Sequence, residues 1–255
     1  MLNNHKTNSI LTVLLALVIF VAITRQVQAM HIMEGFLPPS ACIIWGILCI
    51  PFLALGITKI NRLIAQYPQA ITFLAMAGAF TFVLSALKIP SLTGSSSHMT
   101  GLGFAAILFG PSVACVLSVI VLLFQAVLLA HGGLTTLGAN TFSMGVLGPI
   151  IAFLVYSLLQ KTGSPKSVAI FFAASLGDLA TYIVTSFQLA VAHPSEVGGI
   201  TASFVKFAGI FALTQIPLAI VEGILTVVLI NIVTAYGHDM IQPFGGDFYE
   251  HKLET

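Results

Sequence analysis

The chain has 255 residues, of which 58% are hydrophobic and only 7% charged, and its formal net charge is +1. A soluble domain carries about 25% charged residues, so these figures, with a mean hydropathy of +1.05, describe a polytopic membrane protein set among lipid. The near-zero charge and the lack of any long basic run exclude a nucleic-acid partner.

The first 29 residues read as a secretory signal peptide. A short basic start (His5, Lys6) precedes an apolar run from Ile10 to Thr24 and the small-residue pattern Val27-Gln28-Ala29, which a signal peptidase cuts after Ala29. The alternative is an uncleaved anchor helix, although the run is shorter than the roughly 20 apolar residues a span needs. Cleavage has a chemical consequence. Met30 becomes residue one, and its free amine, the amide nitrogen of His31 and the His31 imidazole Nδ1 can close fused five- and six-membered chelate rings on one metal ion. If the bond stays intact, that chelate cannot form and His31 is an ordinary histidine before a helix.

Beyond Pro38-Pro39 a first helix is expected over about Ser40 to Lys59, then a polar loop holding Lys59, Asn61, Arg62 and Pro68. A second is expected from Gln69 to Lys88, where Ala75, Gly78 and Ala79 make a face small enough for another helix to approach closely, as a coupling-subunit contact or in internal packing. Residues Ile89 to Thr100 must be an exterior loop or be buried where protein satisfies their peptide groups. The apolar stretch Gly101 to Ala130 is broken at Gly110-Pro111, giving a short helix to Phe109 and a full one from Ser112. Further helices follow over about Asn140 to Gln160, Ser167 to Ala192, and Ser203 to Ala235, the last bent near Pro217. The positive-inside rule favours the split. With Met30 outside, Lys59, Arg62, Lys161 and Lys166 fall inside only if the Gly101 to Ala130 stretch makes two passes, which also returns His131 to the outside. The reading is therefore an all-α membrane protein with a signal peptide (1–29), a seven-helix domain (30–235) and a cytoplasmic tail (236–255), in the cell membrane with the mature N-terminus outside.

Met30, His31 and His98 then share one side, and His98 is the most economical fourth nitrogen. Four nitrogens in a plane favour Ni(II), Cu(II) or low-spin Co(II) over Zn, Mg or Ca. Ser97, Thr135, Thr136 and Asn140 are candidates to fix the His98 ring, while His131, His193 and His238 read as structural loop histidines. Cys42, Cys49 and Cys115 show no CxxC spacing and read as small core hydrophobes. Asp178 and Glu222 each cost about 2.5 to 3.5 kcal/mol at a helix centre; they are functional candidates or braces of a bent helix, and not metal ligands. No phosphate loop, no His-Glu-x-x-His and no Gly-x-Ser-x-Gly occurs, so no enzymatic activity is expected and any ATP-driven process needs other subunits.

Four stretches carry a family resemblance: Met30 to Pro38, Ser95-Ser96-Ser97-His98 with Thr100 to Gly103, Ala130 to Asn140, and Gly177 to Tyr182. They resemble the CbiM/NikM family, the metal-capturing S components of energy-coupling factor transporters, over the whole mature chain. The resemblance implies seven helices, a site made by the terminal Met-His and a second His (here Met30, His31 and His98), and no resident cofactor. It further implies uptake of Co(II), with Ni(II) as the alternative, for cobalamin biosynthesis. The partners it implies are a coupling (T) subunit, ATP-binding subunits and a small accessory membrane subunit. A self-sufficient proton-coupled transporter using Asp178 and Glu222 is the alternative from another class, and it predicts two similar halves with matching helix breaks.

Overall fold

The computed structural model describes residues 31–90 and 96–236. The signal peptide, its cleavage point, Met30, His238 and the tail beyond Tyr236 lie outside the described residues. Among the described residues seven helices follow in order: α1 Pro39–Gln66, α2 Ala70–Ala86, α3 Leu102–Phe109, α4 Pro111–Leu129, α5 Leu137–Lys161, α6 Lys166–Ala192 and α7 Gly199–Tyr236. Five of them (α1, α4, α5, α6 and α7) are long and apolar enough to cross a membrane. The fold is thus a multi-pass helical membrane domain whose large side chains, such as Ile43, Val127, Leu128 and Leu158, stand exposed as a lipid-facing belt.

One expected boundary is corrected. Lys59, Asn61 and Arg62 lie on α1, which runs seven residues past Lys59 to Gln66; long basic side chains at a membrane edge bury their stems while remaining helical, and the turn comes only at Pro68. Residues 97–100 are buried inside the protein, the second of the two placements expected for this segment.

The break at Gly110-Pro111 stands. Gly110 has φ +87°, and a Cβ on it would lie 2.9 Å from Lys59 Nζ. The α3–α4 turn therefore sits at the lysine end of α1. His98 and His131, which flank this hairpin, meet at the other end, with ring centroids 5.0 Å apart. Helix α3 has eight residues, about 12 Å at 1.5 Å per residue and well short of the roughly 30 Å hydrocarbon core. It is apolar on every side, and Phe104, Ala105 and Ala106 are fully buried, so it serves as the central packing element. Non-helical residues 97–101 lead into it.

That irregular segment is where the buried polar side chains converge. Gln215 on α7 donates to the His98 carbonyl (3.0 Å) and to Asp178 Oδ2 on α6 (2.7 Å). The Glu222 carboxyl accepts from the Thr100 amide (2.6 Å), the Thr100 hydroxyl (2.8 Å) and the Gly101 amide (2.9 Å). Thr81 of α2 donates to the Gly101 carbonyl at 3.1 Å. A buried backbone group without a partner is costly, and here the intramembrane residues supply the partners. Asp178 and Glu222 brace the His98 segment, and α7 continues as one helix through Pro217. Replacing Glu222 with Leu would orphan two amides and should lower the unfolding free energy by roughly 3 kcal/mol or more. Thermal unfolding in detergent measures this, with Glu222→Gln, whose amide oxygen still accepts, losing less than half as much.

Candidate metal centre

Three histidines from distant parts of the chain meet at one end of the bundle. His31, His98 and His131 offer ligand nitrogens that all lie within 4.8 Å of one another, and the rings are only 3%, 0% and 1% exposed. Each arrives by its own local device. His31 lies on the segment leading into α1. His98 is carried on the braced segment before α3. His131 follows α4, which ends on Ala130 in the left-handed region (φ 47°), with the His131 amide returning to the Gln125 carbonyl at 3.1 Å, a closure of the kind that reverses a chain sharply.

The hydrogen bonds fix which nitrogens are open. A carbonyl only accepts, so His98 Nδ1 donates to Met99 O at 2.8 Å and Nε2, which has no partner, keeps its lone pair. His31 Nε2 lies 3.2 Å from Met144 Sδ. A thioether only accepts, so the unpartnered nitrogen is Nδ1, the one a terminal chelate requires. Both nitrogens of His131 are without a partner. Met144 is set by α5, whose stretch Thr141–Leu147 is a π-helix, a distortion that often marks functional positions.

The segment 31–38 is strapped over this cluster. Asn140 clamps Ile32 from both sides, accepting from its amide (2.8 Å) and donating to its carbonyl (3.0 Å), and the Thr136 hydroxyl adds a bond at 2.6 Å. The Thr135 amide (3.1 Å) and hydroxyl donate to the Glu34 carboxyl, holding it below its usual pKa. His193 Nε2 donates to the Phe36 carbonyl at 2.8 Å. Gly133 allows the approach: a Cβ there would come within 2.6 Å of the Glu34 backbone.

The candidates for fixing the His98 ring are therefore corrected. Thr135, Thr136 and Asn140 hold the N-terminal segment, and Ser97 pairs with Thr214 at 2.7 Å, while the ring of His98 is oriented by Met99. His131, read from sequence as structural, joins the cluster. Its signal was present, since the topology returns it to the side of His98. Ala75 and Ala79 are exposed and Gly78 is half-buried, with Leu117 of α4 lying 3.9 Å from where a Cβ on Gly78 would lie. The cysteines are unpaired, as expected.

Membrane-length helices closed around a dry cluster of borderline nitrogen donors define an integral membrane protein equipped for a transition metal. A family model described as "Cobalt uptake substrate-specific transmembrane region" matches residues 31–240, and the chain belongs to this family, CbiM. It is 56% identical over 242 residues to the "Cobalt transport protein CbiM" of Lachnoclostridium phytofermentans, covering 95% of this chain and 97% of that protein. It is 60% identical over 223 residues to that of Carboxydothermus hydrogenoformans, with 88% and 91% covered. A crystal structure of a truncated transition metal transporter shares the fold, with a TM-score of 0.71, 23% identity, and 81% and 99% of the two chains covered.

Burial is the main reason that the imidazoles resist protonation. It lowers His31 well below 6.5, helped by the neighbouring imidazoles, and lowers His131 as well. The His31 and His131 rings thus stay neutral near pH 6.5, and the competition between protons and metal for their nitrogens moves to more acid conditions. As pH falls below about 6.5, the unfolded chain binds protons that the folded His31 and His131 rings refuse, so the folded state is destabilised. Melting temperature of metal-free protein should drop across this window, and the drop should shrink in a His98→Gln/His131→Gln double variant.

Proposed function

We propose that this protein is the substrate-capturing S component of an ATP-driven energy-coupling-factor importer. It binds Co(II) at the outer face of the cell membrane and passes it inward for cobalamin biosynthesis. The reading is supported by family membership, by the buried imidazole donors and by the absence of a phosphate loop in the sequence. The mature domain, 30–235, follows removal of residues 1–29 and contributes seven passes, α3 with its leading segment serving as one.

The observation that carries the site assignment is the open Nδ1 of His31 beside the open Nε2 of His98, with ring centroids 4.3 Å apart. Cleavage before Met30 would set an amine and a metal-deprotonated amide next to that Nδ1, and His98 would complete a plane of four nitrogens. Thioether chemistry at Met30 plays no part. One residue inserted between Ala29 and Met30 should abolish Co(II) binding measured by calorimetry, although Met30, His31 and His98 all remain, whereas Met30→Leu should bind normally. Mass spectrometry of the purified N-terminus accompanies the test. A chain starting at Met1 with full affinity contradicts the reading.

The partners are a coupling subunit, ATP-binding subunits and a small accessory membrane subunit. A membrane-facing groove of about 630 Å³ between α1, α2 and α4 is lined by Ala75, Gly78, Ala79 and apolar neighbours such as Ile64 and Phe124, a shape suited to a close helix contact. Ala75→Leu with Ala79→Leu should prevent co-purification of the coupling subunit while leaving metal binding intact.

A further inference from the structure

His131 is unused by a planar site built from Met30, His31 and His98, yet it is 1% exposed and neither ring nitrogen has a partner. Burying two polar atoms unsatisfied is costly, so their place in this cluster calls for a ligand. The filled plane and the ring orientations together say how His131 meets that ligand. A His31 ring bound through Nδ1 lies close to the chelate plane, because Nδ1 closes a six-membered ring. The His98 ring is tilted only 39° from it. The His131 ring stands at 68° to His31 and 74° to His98, with centroids 4.4 and 5.0 Å away. The Met30 amine, the His31 amide, His31 Nδ1 and His98 Nε2 fill the four planar positions of that reading, so a further donor from His131 can reach the ion only along the axis of the plane, an approach that a ring this steep permits.

We propose that His131 is the apical, fifth ligand of the bound ion and the residue that makes the site prefer Co(II) to Ni(II). The inference rests on the four-nitrogen reading above and deepens it. In a strong planar field low-spin d⁸ Ni(II) has a filled axial orbital and takes no fifth donor, whereas d⁷ Co(II) holds one electron there and binds an axial base. A planar site alone gives cobalt no such advantage; an imidazole waiting above the plane adds a bond that only cobalt can accept. The neighbouring thioether of Met144 is engaged with His31 Nε2 and leaves the axial position to His131.

The test is electron paramagnetic resonance of the purified mature protein loaded anaerobically with Co(II). The expected spectrum is low-spin, with cobalt lines split into triplets by one axial ¹⁴N, becoming doublets in protein labelled with [¹⁵N]histidine. His131→Ala should abolish the splitting and weaken Co(II) binding about tenfold or more, the scale on which a supporting group matters to a metal site. Ni(II) affinity should stay within about twofold. His131→Gln replaces the alanine variant if that fails to bind nickel. A low-spin spectrum without nitrogen splitting, splitting that survives substitution, or loss of nickel binding in both variants overturns the apical assignment while leaving the planar site standing. A high-spin spectrum overturns the planar site and the apical assignment with it.

Discussion

Everything at the metal-competent end depends on one constraint: residues 97–101 are non-helical backbone buried within a membrane domain, where water cannot complete their hydrogen bonds. The protein completes them itself. Gln215 takes the His98 carbonyl, His98 takes the Met99 carbonyl, Glu222 takes the Thr100 and Gly101 amides, and Thr81 takes the Gly101 carbonyl. Polar residues that are expensive in the middle of α6 and α7 are thereby the reason an irregular segment can hold His98 at a fixed height. The same brace frees the chain to enter α3, whose apolar surface fills the centre of the bundle.

On the opposite wall the constraint is different. The segment from His31 to Pro38 has no secondary structure of its own to fix it, so side chains from three other places tie it down: Asn140 and Thr136 at Ile32, Thr135 at Glu34, and His193 at Phe36. The tautomers follow from these two walls. Met99 and Met144 each occupy one ring nitrogen, and the remaining lone pairs of His98 and His31 face the shared space. A cluster of three buried imidazoles offers nitrogen donors, which suit transition metals better than the oxygen-seeking Ca and Mg ions.

Much of this was legible in the sequence where the physics is local. Gly110-Pro111 reads as a break because proline removes a donor and glycine takes the positive φ. Lys59 to Arg62 misled because a basic cluster resembles a loop, although at a membrane edge it can remain helical. The partners of Asp178 and Glu222 could not be read, since they are backbone groups and an amide side chain far along the chain. The same holds for Asn140: its side chain matched a supporting role, but only the folded arrangement shows that it clamps Ile32 and leaves His98 alone. His131 lay between these cases. Its side of the membrane followed from counting passes, but its orphaned nitrogens are visible only once the three loops are assembled.

The central claim is that the ion is held where the N-terminal segment meets His98. A crystal of the mature protein soaked in Co(II), with anomalous differences recorded at the cobalt edge, tests it most directly. The account predicts one peak about 2 Å from His31 Nδ1 and His98 Nε2, reached on a third side by the amine of Met30. A peak beside Asp178 and Glu222, or one held by His98 without His31, would contradict it.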